Sequence, residues 1–192
     1  MPQSSEAEIL KLTLVSEGAI GLAGFVGLVY WQQLERLSLS VSMIALGLAL
    51  GLILTFFNFN LERWSKKIPI LHAQLNLLQN EILIPLAGKL SLSSICLISV
   101  MAGVGEELFF RGLLDQLLGI FLSASLFGLI HFLGNLKRFY LVCVLYILIG
   151  LLFSLTVQAL MGNLVVVIIA HALLDLLALF KIRKKGLEMQ IS

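Results

Sequence analysis

The protein is 192 residues long, which corresponds to one modest domain. Charged residues make up 12% of the chain, against roughly 25% in ordinary soluble domains, and hydrophobic residues make up 59%. A chain of this size cannot bury so much apolar surface inside a soluble globule, because its surface-to-volume ratio is too large. The composition excludes a soluble enzyme, a nucleic-acid-binding protein and a disordered tail, and it predicts a multi-pass membrane protein.

A helix that spans a bilayer needs about 20 mainly apolar residues. Six stretches meet or approach this length, in chain order 13–31, 39–59, 91–118, 119–134, 139–160 and 163–180. Glu6 and Glu8 precede the first stretch and argue against a signal peptide, so we expect this stretch to remain as a span. No stretch alternates as a β-strand does. The predicted fold is an all-α, multi-pass transmembrane helix bundle with about six spans.

The segment 68–86, between the second and third spans, predicts an amphipathic helix at the membrane interface. Its apolar side chains recur at helical spacing, at Leu71, Leu75, Leu78 and Ile82. Amide, imidazole and carboxylate groups occupy the other positions, so a lipid-facing span would be costly. Pro69 and Pro85 bracket the segment. A seventh span remains the alternative.

Basic residues predict the orientation of the bundle. With six spans and the N-terminus inside, the inside segments hold eleven of the 13 basic residues: Lys11, Arg63, Lys66, Lys67, Lys89, Lys137, Arg138, Lys181, Arg183, Lys184 and Lys185. Only Arg36 lies outside, and Arg111 lies within the membrane. Because Lys and Arg concentrate in cytoplasmic loops, this bias predicts that both termini are cytoplasmic.

Ionisable side chains inside the predicted spans need an explanation, because each costs roughly 2.5–3.5 kcal/mol on insertion scales. They are Glu17, Glu106, Glu107, Arg111, Asp115, His131, His171 and Asp175. Glu107, Arg111 and Asp115 are four residues apart, which predicts a ladder with the cation between two carboxylates. Glu106 lies about 100° around the helix from that ladder, without a local partner. Glu17, near a helix end, is expected to reach the interface.

Two further pairs stand four residues apart. Phe127 can support the His131 ring, and Asp175 can orient the His171 imidazole. Counted at helical rise from the outer ends of their helices, Glu106, His131 and Asp175 lie about 18 Å deep and His171 about 12 Å deep. Taken singly, each histidine could be a packing residue, and the Glu106–Glu107 pair could mark a helix end. Together they predict one polar cluster near the middle of the bilayer.

The three motifs, in this order, resemble the CAAX protease and bacteriocin-processing family, which includes the type II CAAX prenyl endopeptidases. They are GEELFFRG at 105–112, FGLIH at 127–131 and HALLD at 171–175. The resemblance covers about residues 88–180. It divides the chain into an N-terminal part with two spans and the amphipathic helix, a catalytic core, and a basic cytoplasmic tail, at 1–87, 88–180 and 181–192.

The resemblance implies an intramembrane endopeptidase that cleaves a membrane-tethered or prenylated peptide. In this scheme Glu106 activates a water molecule that His131 helps to position, and His171 and Asp175 stabilise the oxyanion. The family pattern usually has asparagine at the last position. An ionised aspartate cannot donate a hydrogen bond to an oxyanion, so Asp175 either carries a proton or only orients His171.

The family also carries a metalloprotease label, and glutamate, histidine and aspartate are donors that ligate zinc. There is no HExxH pairing, and Glu106 would have to act as either ligand or base. The sequence therefore favours a metal-free site without a cofactor, with zinc as the alternative.

Two other functions fit the same residues. Glu and His at mid-membrane also serve as relays in proton-coupled transporters, although no inverted repeat is evident. A non-catalytic scaffold or immunity-type protein would keep the fold without the activity, and the departure at Asp175 keeps this alternative open. For the peptidase, the expected partners are membrane lipid and a membrane-tethered or prenylated peptide substrate, and no nucleic acid.

The charge bias predicts the outcome of reporter fusions. Fusions after residues 65, 137 and 185 should report the cytoplasm, and a fusion after residue 162 should report the opposite side, because basic segments stay inside. A cytoplasmic signal at 162 would contradict the six-span topology.

Overall fold

The computed structural model describes residues 5–191, and over this range the chain is almost entirely helical, with no β-strand. The helices are α1 (Glu6–Tyr30), α2 (Val41–Ser65), α3 (69–87), α4 (Leu92–Leu118), α5 (Ile120–His131), α6 (Leu136–Ala159) and α7 (Val165–Ile191). A short 3₁₀ turn, Leu34–Leu37, joins α1 to α2. Wider π-helical turns interrupt α3 at Gln79–Leu83 and α4 at Leu108–Leu114. The all-α, multi-pass bundle is confirmed.

Five of these helices, α1, α2, α4, α6 and α7, are long and apolar enough to cross a membrane. The segment 119–134, expected as a further span, instead forms the 12-residue helix α5. Gly119 and Gly134 flank it with φ angles of +78° and +81°, a conformation that helices do not continue through. At helical rise α5 is only about 18 Å long, which is shorter than the roughly 30 Å core of a bilayer. The loop after α5 therefore supplies the rest of the distance between the two ends of the bundle.

The two ends of the described chain lie at one end of the bundle. The Glu6 carboxylate, at the start of α1, accepts a hydrogen bond of 2.7 Å from the Ser91 N–H at the start of α4. Near the end of α7, Arg183 donates to the Leu90 carbonyl at 2.8 Å. We call this the basic end, because most of the basic residues lie here.

Arg36 organises the opposite end. Its guanidinium donates to the Gly162 carbonyl at 2.8 Å, in the turn between α6 and α7, and to the Arg111 carbonyl at 3.1 Å on α4. Burial lowers the pKa of this arginine from its ordinary value. Arg36 therefore ties three chain segments together at the end with few other charges.

Glycines let the helices approach closely around α7. Gly47 and Gly51 place α2 directly against α7, and Gly103 places α4 against Ala172 of the same helix. A methyl group at any of these positions would crowd α7 atoms, and small residues are the usual solution for close helix contact in membranes. His171, next to Ala172, is thereby held at the centre of the bundle.

The predicted amphipathic helix is present as α3. Its buried Leu71 packs in a cluster with Phe132, Phe139 and Val142, from the loop after α5 and from α6. The buried Gln74 side chain accepts a hydrogen bond of 3.0 Å from a main-chain N–H of α6. These contacts fasten α3 to α6 at the basic end.

Candidate active site

Three helices bring the predicted polar residues together in one cluster. Glu106 of α4 lies between two imidazoles: its Oε1 is 3.7 Å from Nε2 of His131, and its Oε2 is 3.9 Å from Nε2 of His171. Asp175, one turn further along α7, places Oδ2 3.5 Å from the same Nε2 of His171. Residues from 106 to 175 in the sequence therefore form one site.

His131 is oriented by its own helix and by two rings. Its Nδ1 lies 2.7 Å from the Phe127 carbonyl oxygen, which can only accept, so Nδ1 carries the hydrogen. The ring centroids of Phe127 and Tyr146 each lie 4.8 Å from the imidazole centroid. As a result, Nε2 is the nitrogen that faces Glu106. Tyr146 was not predicted, because its helix carries no motif.

Glu107 and Arg111 form a fully buried ion pair, both with side chains at 0% exposure. Arg111 donates to Glu107 at 3.3 Å and to the Gly150 carbonyl at 3.0 Å, and its guanidinium lies 4.4 Å from the centroid of the Phe127 ring. Glu107 also accepts a hydrogen bond of 2.7 Å from Nδ1 of His171. The i,i+4 spacing predicts the first contact, whereas the second joins residues 64 positions apart.

Asp115 does not continue this ladder, contrary to the prediction. Within residues 5–191 no ion pair joins it to Arg111. Instead it lines a separate pocket at the opposite end of the bundle, together with Arg36 and Gln116. Arg111 lies within the π-helical turn Leu108–Leu114 and Asp115 directly follows it, and the wider winding of this turn rotates Asp115 out of the i,i+4 register.

Glu17 lies beside the cluster and not at the interface as expected. Its Oε2 is buried and has no hydrogen-bond partner among the described residues. The α1 backbone at this point packs directly against Gly105, so an added Cβ there would lie 3.1 Å from Glu17 Oε2. This contact brings another carboxylate next to Glu106. The absence of a side chain at position 105 was the signal in the sequence that could have suggested it.

A cavity of about 340 Å³ opens onto the cluster. Glu106, His131, His171 and Asp175 all line it, and the cavity continues to Lys181 near the basic end. Most of the other lining side chains are apolar, among them Leu145, Ile149, Phe153 and Leu174. The arrangement can bind a partly apolar molecule and present a carboxylate flanked by two imidazoles to it.

Glutamate, histidine and aspartate, the donor types present in the cluster, can ligate a metal ion such as zinc. In the part of the chain that the structure describes, no group of three or more His, Cys, Asp or Glu side chains could hold one. The hydrogen bond at Nδ1 of each histidine leaves its Nε2 facing Glu106.

A family model described as Rce1-like, type II CAAX prenyl endopeptidase, matches residues 88–177. The match contains all three motifs and confirms the predicted family resemblance. It begins just before α4 and ends within α7, so α1, α2 and α3 lie outside it. Neither the curated proteins nor the solved structures gave a match.

Replacing Glu107 by glutamine should strongly destabilise the protein, because it leaves the buried Arg111 charge without a counterion. Breaking a buried pair in this way costs about 3–5 kcal/mol in the free energy of unfolding. Glu81→Gln is the matched control, since the Glu81–Arg138 pair is 48% and 44% exposed and should contribute less than about 1 kcal/mol. Unfolding monitored in detergent compares the two variants, and equal effects would contradict the structural role of Glu107.

Proposed function

We propose that this protein, whose residues 88–177 match the family model of Rce1-like type II CAAX prenyl endopeptidases, cleaves a membrane-tethered or prenylated CAAX-type peptide with a water molecule activated by Glu106. The observation that carries the proposal is the position of the Glu106 carboxylate. It lies between the Nε2 atoms of two histidines, at the wall of a cavity inside a membrane-type helix bundle.

In this mechanism Glu106 acts as general base. It takes a proton from water as the water oxygen attacks the carbonyl carbon of the scissile peptide bond. His131 Nε2, 3.7 Å from the carboxylate, helps to hold the water. The proton then passes from Glu106 to the leaving amine, which completes hydrolysis. Fixing the direction of each imidazole by a hydrogen bond at Nδ1 supports this division of roles.

The proposed oxyanion site consists of His171 and Asp175. The Glu107 carboxylate binds Nδ1 of His171, so it stabilises a positively charged imidazole whose Nε2–H can donate to the developing oxyanion. Because Glu107 already orients His171, Asp175 is not needed for that purpose. We place Asp175 on the substrate side, where the family pattern has asparagine and where a protonated carboxyl can donate.

We also propose that both chain termini and the mouth of the cavity face the cytoplasm. The cavity extends toward the basic end, and both ends of the described chain lie there. Basic segments mark the cytoplasmic side of membrane proteins. A lipid-anchored peptide would then reach Glu106 from the cytoplasmic leaflet.

Glu106→Gln tests the proposal. The amide cannot accept the proton, so cleavage of a lipid-anchored peptide in liposomes should fall by at least about 10²–10⁴-fold, the contribution of a positioned base. Glu81→Gln, an exposed carboxylate on α3, should leave the rate unchanged. Equal cleavage by wild type and Glu106→Gln, at equal folded yield, would refute the role of Glu106, whereas no cleavage by either protein would favour a transporter or a non-catalytic protein.

Asp175→Asn tests the oxyanion role and the metal-free mechanism together. The amide keeps a hydrogen-bond donor, so cleavage should be maintained or rise, and chelators should leave it unchanged. Asp115→Asn, at the other end of the bundle, is the control. The zinc alternative requires a different result: about one zinc per chain by elemental analysis, lost together with activity in Asp175→Asn, since a neutral amide is the poorer ligand.

A further inference from the structure

The cavity has one wall that carries amide side chains. Helices α2 and α3 contribute Asn58, Asn76 and Gln79 to its lining, and we call these three residues the amide wall. The side of the cavity formed by α6 is largely apolar, with Leu145, Ile149 and Phe153. The amide wall lies outside residues 88–177, so the family resemblance says nothing about it.

Asn58 has an amide without a partner. It lines the exposed edge of the cavity, and no hydrogen bond joins its side chain to any of the residues that the structure describes. Asn60, two residues away on the same helix, does not line the cavity and donates to the Phe56 carbonyl at 2.8 Å. Asn58 is exposed, so its amide is available to water or to a molecule that occupies the cavity. Asn58 therefore offers both a donor and an acceptor at the edge of the cavity.

Asn76 is held by a chain of hydrogen bonds. Its Nδ2 lies 3.2 Å from Nε2 of His72, and since an amide nitrogen only donates, this Nε2 accepts. His72 then donates from Nδ1 to the Ser65 hydroxyl at 3.0 Å, and that hydroxyl donates to the Glu62 carbonyl at 2.8 Å. The chain fixes the amide and leaves Asn76 Oδ1, within the described part of the protein, as an acceptor for another molecule.

Gln79 complements Asn76. Its Oε1 accepts a hydrogen bond of 2.7 Å from Lys185, which leaves its N–H groups as donors. The amide wall thus offers an acceptor at Asn76, donors at Gln79 and both at Asn58. A peptide main chain presents one donor and one acceptor per residue, whereas a hydrocarbon chain needs neither.

We propose that the amide wall binds the main chain of the peptide substrate and so holds the scissile bond next to Glu106. The inference rests on the proposed function, because it assigns the cavity to a peptide. The N-terminal helices thereby supply substrate recognition, and the helices that match the family model supply the reacting groups. His72 acts through Asn76 as a positioning residue.

The test uses the full-length protein in phosphatidylcholine–phosphatidylglycerol vesicles and a farnesylated fluorescent peptide with a Cys-aliphatic-aliphatic-X end. Asn58→Leu and Asn76→Leu are compared with Asn60→Leu for cleavage. The same substitutions in the Glu106→Gln background report binding of the uncleaved peptide. Each amide variant should raise KM and Kd about three- to tenfold, as expected for one lost hydrogen bond, with kcat within about twofold. Asn58→Gln should restore part of the loss, and Asn60→Leu should change nothing.

Peptides with a single main-chain N–H replaced by an ester oxygen identify the bonded position. One such ester should weaken binding of the peptide to the wild-type protein. The same ester should not weaken binding to Asn76→Leu any further, because this variant already lacks that hydrogen bond. Unchanged Kd in both leucine variants, or an equal loss in Asn60→Leu, would overturn the inference. If the protein binds the peptide through the amide wall but does not cleave it, the inference about binding is supported and the proposed peptidase activity is refuted. A wild-type protein that does not bind the peptide would overturn both.

Discussion

The buried pair of Glu107 and Arg111 is the interaction on which the rest of the site depends. Both side chains are completely excluded from solvent, where an unpaired charge would be far more costly than at a surface. Arg111 also reaches the Gly150 carbonyl of α6 and lies over the Phe127 ring of α5, while Glu107 binds His171 of α7. One ion pair on α4 therefore sets the positions of the three helices around it.

Fixing one nitrogen of each histidine decides what the other nitrogen can do. Glu107 holds Nδ1 of His171, and the Phe127 carbonyl holds Nδ1 of His131, so both Nε2 atoms face Glu106. Hydrogen bonds of this kind fix the tautomer and the direction of an imidazole ring, as they also do for histidines that bind metals. The two adjacent glutamates consequently differ in role: one supports the site from behind, and the other is the carboxylate exposed to the cavity.

Close helix packing connects the site to the N-terminal helices, which the family model does not cover. Gly21 of α1 faces Gly105 of α4, so that an added Cβ at Gly21 would lie 3.0 Å from the Gly105 Cα. This contact brings Glu17 beside Glu106. On the other side, α2 and α3 close the cavity with the amide wall. The matched helices carry the cluster of Glu106, His131, His171 and Asp175, and the surrounding helices shape the cavity that opens onto it.

The sequence by itself determined the features that depend on composition and local periodicity. Its apolar content predicted a membrane-spanning helical bundle, and the i,i+4 spacing predicted the contact of Glu107 with Arg111, since neighbours on one helix face are set by helical geometry alone. Only the tertiary structure decided the contacts between helices. The bond from Glu107 to His171 and the position of Glu17 beside Glu106 depend on which helices approach closely, and that depends on glycines whose packing partners lie far away in the chain. The departure of Asp115 from the ladder required a π-helical turn, which has no simple periodic signal because it changes the period itself.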